Sequence, residues 1–164
     1  HLLTGCPAPH QRRTWQDAGG LLSGSCRFFL VSCDNAHAVH PNHGEKTDAV
    51  NCSWMNKGIV IKESANQKYT TDAFSRAVFT NICNEAGVPV QAFANRSDSA
   101  GGSTLGNLSN TQVSVHAVDI GLPQLGMHSC YETAGVKDVE YAISALTKFY
   151  QTNLQIEGAE SANV

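Results

Sequence analysis

The sequence predicts an α/β fold in three layers, built around a largely buried sheet. Three observations predict it. Short apolar runs of buried-strand type alternate with stretches of helical period. The 164 residues suit one compact domain. Hydrophobic residues make up 41% and charged residues 15%, so a core can be buried.

Taken in order, residues 1–27 form an irregular leader: Pro7, Pro9, Arg12, Arg13 and the Gly19-Gly20 pair interrupt any sustained period. Residues 28–32 read as a buried strand that stops at Asp34. Residues 34–45 carry His37, His40 and His43, and Pro41 forbids a continuous helix there. Residues 58–62 are a second strand. A helix follows, capped by Thr70 or Thr71, with Phe74, Ala77, Val78, Ile82 and Ala86 as its core stripe and Gly87 and Pro89 as its stop. Residues 88–94 read as a strand, 96–106 as a glycine-rich turn, 113–120 as a strand and 121–126 as a loop. Val136, Val139, Ile143, Leu146 and Tyr150 then mark the core stripe of a long amphipathic helix. The remaining residues, 155–164, are a polar tail expected to fray.

Composition excludes several function classes. Eleven basic against fourteen acidic residues give a net charge of −3, which argues against a nucleic-acid partner. The longest apolar run, at residues 28–31, is too short to cross a bilayer, so no membrane partner is expected. No signal peptide is expected either. The six cysteines include no C-x-x-C pair, and reduced thiols in the cytoplasm are expected.

Four features bear chemistry. Asp34 at a strand end, with imidazoles three and six residues later at His37 and His40, is a carboxylate and nitrogen set of the kind zinc accepts; alternatively Asp34 caps a turn and these histidines, with His43, are polar loop residues. His128, behind the loop of residues 121–126, is either a ligand or a structural histidine. The turn at Gly101, Gly102, Ser103 and Thr104 lets backbone approach a ligand, or is an ordinary turn with a hydroxyl cap; it lacks the lysine of a P-loop. Lys62, at a strand end, is either solvated or a partner for an acidic substrate group. His116 reads as a packed mid-strand residue. Neither a G-x-S-x-G elbow nor a sequence context for a cysteine nucleophile is present.

Read as motifs, Ser32-Cys33-Asp34-Asn35-Ala36-His37-Ala38-Val39-His40-Pro41-Asn42 resembles the S-A-D-x-A-H-A-V-H-P-N signature of the aspartyl aminopeptidase-like zinc metallopeptidases. Three further stretches agree in order: residues 58–62 with 66–72, residues 95–106, and Asp119-Ile120-Gly121-Leu122-Pro123-Gln124-Leu125-Gly126-Met127-His128-Ser129. The resemblance runs from residue 28 to 154. It implies the C-terminal half of a three-layer α/β/α sandwich of the zinc-dependent exopeptidase type, in a cytoplasmic, homo-oligomeric enzyme that removes N-terminal, often acidic, residues from peptides with two zinc ions. By the same resemblance Asp34 and His128 are zinc ligands, while His37, Lys62, Gly101, Gly102, Ser103 and Thr104 line the substrate pocket.

The family also carries a His-x-Asp motif, a bridging aspartate followed by asparagine, and an adjacent Glu-Glu pair that supplies the general base. No histidine here has aspartate two residues on, no two acidic residues adjoin, and the one Asp-Asn dipeptide, Asp34-Asn35, belongs to another motif. The 164 residues are therefore expected to hold part of a dinuclear site and to be inactive in isolation. A truncated gene or a fragment of a longer chain would account for the leader. The alternative is a non-catalytic product that associates with a full-length relative.

Overall fold

A computed structural model describes residues 27–157 and 161–163; expectations for residues 1–26 lie outside them. In chain order the elements are β1 (Phe29–Cys33), β2 (Ala36–His37), a single 3-10 turn (Gly44–Lys46), β3 (Ile59–Glu63), α1 (Ala73–Glu85), β4 (Val90–Ala94), α2 (Leu105–Asn110), β5 (His116–Gly121), β6 (Pro123–Leu125), β7 (Thr133–Ala134), α3 (Val136–Gln151), β8 (Gln155–Ile156) and β9 (Ala162–Asn163).

The main sheet has the order β1-β5-β3-β4. Strands β1 and β5 run parallel, as do β3 and β4, but β3 and β5 are antiparallel, with Ile61 opposite Ile120. Because side chains alternate along a strand, this register sorts them cleanly onto two faces. Val31, Ile59, Ile61, Val118 and Ile120 point to one face and pack with Phe79 and Cys83 of α1 and Ala145 of α3. Ser32, Val60, Lys62 and Asp119 point to the other, where the Gly106 amide of α2 donates to Ser32 Oγ at 3.0 Å. Helices on both faces make the expected α/β/α layering. A smaller sheet, β2-β6-β7, continues from the ends of β1 and β5, in a region expected to be loop.

The cap of helix α1 lies one residue beyond Thr71. Asp72 caps it through a reciprocal pair with Ser75, whose amide donates to Asp72 Oδ1 at 2.7 Å. Thr70 and Thr71 are not available for capping because both bond Asp119. Gly87 ends the helix at φ 67, as the Gly-Pro signal predicts. Strand β5 begins at His116 rather than residue 113, since the Val113 amide closes the last turn of α2 by donating to Ser109 O. His116 packs against the Phe74 ring at 4.6 Å.

Helix α3 departs from the expected pattern. Its buried side is Asp138 and Ala145, flanked by Tyr141, Ala142 and Leu146. Of the stripe read as core, only Leu146 packs inward; Val136, Val139, Ile143 and Tyr150 are exposed. The cause is Asp138. Its carboxylate accepts from the Asn56 and Gly58 amides at 2.6 and 3.1 Å, and this fixes the helix's rotation. The tail expected to fray instead pairs in part, as β8 and β9 form a short hairpin.

Candidate active site

The site-bearing residues gather where β1 and β5 pass into the small sheet. Asp34 follows β1, and its amide donates to Ile120 O at 3.0 Å. Gly121 lies so close that a Cβ there would run into the Asp34 carbonyl, so glycine is required for this approach. Asn35 ties the two connections together: its amide nitrogen donates to Gln124 Oε1 at 2.5 Å, and its Oδ1 accepts from the Leu122 amide at 3.4 Å. His37 sits opposite Gln124 in the β2–β6 pairing.

Lys62 is the central charge. It is 2% exposed, and its Nζ lies 3.4 Å from Asn35 O, 3.8 Å from Asp34 Oδ2 and 5.1 Å from the Tyr69 ring centroid. Burial pushes its pKa down, while the carboxylates of Asp34 and Asp119 and the Cys33 thiol pull it back up. The Tyr69 face adds a cation–π attraction. The reading of Lys62 as a solvated lysine is thereby excluded; it is a buried cation aimed at the Asp34 carboxylate. Burial likewise raises the Cys33 and Tyr69 pKa values.

His37 has a lowered pKa, first through desolvation and then through the nearby charges of His128 and Lys62. Lys62 pairs with Asp34 at 3.8 Å, and both Lys62 and His128 act on the His37 imidazole. His128 lies in the turn after β6, exposed and in the left-handed region at φ 67. Its amide donates to Glu132 Oε1 at 2.7 Å, and a Gly126–Ser129 bond closes the turn. A non-glycine residue held in that region costs energy, and such positions concentrate at functional sites.

A cleft of about 640 Å³ adjoins this rim, lined among others by His37, His40, His43, Phe93, Gln124 and Gly126. From the glycine-rich segment it receives Arg96, Asp98, Ser99 and Ala100 rather than Gly101 to Thr104. Thr104 is buried: it caps α2, and its hydroxyl donates to Asp119 Oδ2 at 3.0 Å. Ser103 Oγ accepts from Asn107 Nδ2 at 3.0 Å, Gly101 abuts the Asn95 side chain, and Gly102 is open.

Asp119 heads the last of the four motif stretches, yet the motif gives it no role. Fully buried, its Oδ2 accepts from the Thr70 amide (2.7 Å), the Thr70 hydroxyl (3.1 Å) and Thr104, while its amide binds the Thr71 hydroxyl (2.9 Å). It joins the segment carrying Tyr69 to the start of α2, under Lys62. An aspartate inside an otherwise apolar strand was the available signal.

Asp34 and His128 offer two donors of kinds zinc accepts, but a catalytic zinc takes three protein ligands and a structural one four. Among the described residues no group of three or more His, Cys, Asp or Glu side chains is placed to hold a metal. The described residues therefore do not fit a complete zinc site by themselves. Cys33, Cys52, Cys83 and Cys130 are free thiols. Among the described residues no helix is long and apolar enough to cross a membrane.

Comparison with known proteins gives a consistent picture. The family model described as aminopeptidase I zinc metalloprotease (M18) matches residues 20–150. A probable M18 family aminopeptidase 2 from Clostridium novyi is 51% identical over 124 residues, covering 76% of this chain and 29% of the relative. One from Ectopseudomonas mendocina is 43% identical over 141 residues, covering 86% and 33%. Among solved structures, a chain of the Ape4 and Nbr1 complex superposes with TM-score 0.82 at 39% identity, covering 90% of this chain and 29% of its own. The S. cerevisiae mApe1 dodecamer gives 0.71 at 25% identity, covering 80% and 28%. The chain spans about a third or less of each of these relatives.

Proposed function

Because the chain belongs to the aminopeptidase I zinc metalloprotease (M18) family, we propose that it is part of a metalloaminopeptidase that removes N-terminal residues, acidic ones among them, from peptides. Asp34 and His128 each supply a ligand to a two-zinc site, and the other ligands and the general base come from outside these 164 residues. When bound, the metal pair supplies an activated water and polarises the scissile carbonyl.

The observation that carries this reading is the buried Lys62 ammonium 3.8 Å from Asp34, beside His37, whose charge environment includes His128. Lys62 orients the Asp34 carboxylate and offers a poorly hydrated cation to an acidic substrate side chain. His37, uncharged near neutral pH, donates or accepts a hydrogen bond from the substrate backbone. From the glycine-rich segment, Arg96, Asp98, Ser99 and Ala100 line the cleft that would take the peptide. The dodecameric yeast relative supports a homo-oligomer.

Incubating the 164-residue chain with zinc and an aspartyl or glutamyl chromogenic amide tests the proposal. No turnover is expected, with weak zinc uptake that Asp34→Ala and His128→Ala each reduce. Brisk turnover, or zinc uptake indifferent to both substitutions, refutes it.

A further inference from the structure

Most charged and imidazole side chains of the cleft beside the site are already committed. The Arg96 guanidinium donates from Nε and Nη2 to the Asp98 carboxylate at 2.9 and 2.6 Å, and from Nη1 to Glu45 O. His43 Nδ1 meets Glu45 Oε1 at 3.2 Å. Asp48 turns its carboxylate back onto its own loop, where Oδ1 accepts from the Val50 and Asn51 amides at 3.0 and 2.7 Å. Lys46 is different. It lines the cleft, is exposed, and among the described residues forms no ion pair. His40 supplies a second uncommitted donor: its Nδ1 accepts from the Asn42 amide at 3.1 Å, which leaves the ring hydrogen on Nε2. Apart from His37, already assigned to the substrate backbone, the cleft thus offers one unpaired ammonium and one imidazole N–H, both from residues 40–46.

We propose that this cleft takes the part of the peptide that follows the scissile bond, and that Lys46 and His40 together receive a carboxylate there. The inference rests on the metalloaminopeptidase reading and deepens it. Two lining residues, His37 and Gly126, stand three positions from Asp34 and two from His128, so the cleft adjoins both expected metal ligands. Lys62, the cation offered to the residue that is removed, is not among the lining side chains, so the cleft holds a different part of the substrate. Its volume of about 640 Å³ suits a peptide segment of a few residues. With Asp98, Glu45 and Asp48 each engaged by another group, the free ammonium favours an anion, and the imidazole N–H adds a charge-assisted bond to it. The carboxylate has two chemical sources: an acidic side chain downstream of the cleaved bond, or the free C-terminus of a short peptide.

The test follows amide and imidazole NMR signals of the 164-residue chain, in chelator and at constant pH, as peptides are added. N-acetyl-Ala-Glu-Ala-amide carries an internal carboxylate, N-acetyl-Ala-Gln-Ala a terminal one, and N-acetyl-Ala-Gln-Ala-amide none. At least one carboxylate peptide is expected to bind about fivefold more tightly than the neutral one, and which of them does so identifies the source. The His40 and His43 ring signals and the amides of residues 94–100 are expected to move. Lys46→Gln is expected to abolish the preference and Lys46→Arg to keep it. Equal affinity for all three peptides, or binding by none, overturns the proposal. So does a preference that survives Lys46→Gln, which would put the carboxylate on Lys62, or shifts confined to residues outside the cleft. Neither metal nor turnover enters this measurement, so its failure is distinct from failure of the functional proposal, which zinc uptake and turnover report.

Discussion

Replacing Asp119 by alanine tests whether one buried carboxylate holds the site's floor together. The substitution removes the acceptor for the Thr70 amide, the Thr70 hydroxyl and the Thr104 hydroxyl, at 2.7, 3.1 and 3.0 Å. Bonds to a charged acceptor contribute about 1.5–3 kcal/mol each, and a buried donor left unpaired costs about 1–3 kcal/mol. Against this, the carboxylate no longer has to be desolvated, which returns several kcal/mol. The expected net loss is about 3 kcal/mol, a large share of a typical stability of about 5–15 kcal/mol. At about 2–4 °C per kcal/mol for a domain of this size, the midpoint should fall by roughly 6–12 °C. Urea denaturation followed by circular dichroism measures the free-energy loss, and thermal unfolding the midpoint. A loss under about 1 kcal/mol would show that these hydrogen bonds do not organise the 69–71 segment and α2.

Three further outcomes are expected. Asp138→Ala frees the Asn56 and Gly58 amides and should cost about 2–3 kcal/mol in the same denaturation assay. Gly121→Ala forces a Cβ against the Asp34 carbonyl and should cost about 1–3 kcal/mol, with amide exchange at Asp34 and Ala36 accelerated. Burial pushes the Cys83 thiol from 9.0 up to about 12, so above pH 9 the unfolded chain ionises while the folded chain does not. Stability should therefore decline between pH 9 and 12, and Cys83→Ala should flatten that part of the pH profile.

The four strands of the main sheet and both long helices were legible because each carries a period or an apolar run bounded by a breaker. The Gly87-Pro89 stop and the buried strand beginning at Ile59 are examples. What could not be read locally was set by distant partners. The rotation of α3 depends on Asp138 reaching the Asn56 and Gly58 amides, which lie some eighty positions away in sequence. Thr71 has the residue type of a helix cap but bonds the Asp119 amide, leaving the cap to Asp72. The antiparallel junction between β3 and β5 is likewise invisible in either strand alone. Within the site, Asp34, His37 and His128 are singled out in the sequence only by the motifs they belong to. The burial of Lys62 and the role of Asp119 appear only once both faces of the sheet are assembled.

Anomalous diffraction at the zinc edge, from crystals of the chain co-assembled with the complementary portion of the Clostridium novyi relative, tests the central claim most directly. The account predicts metal peaks about 2.0–2.2 Å from an Asp34 carboxylate oxygen and an imidazole nitrogen of His128. Zinc bound elsewhere, with Asp34 still facing only Lys62, would contradict it.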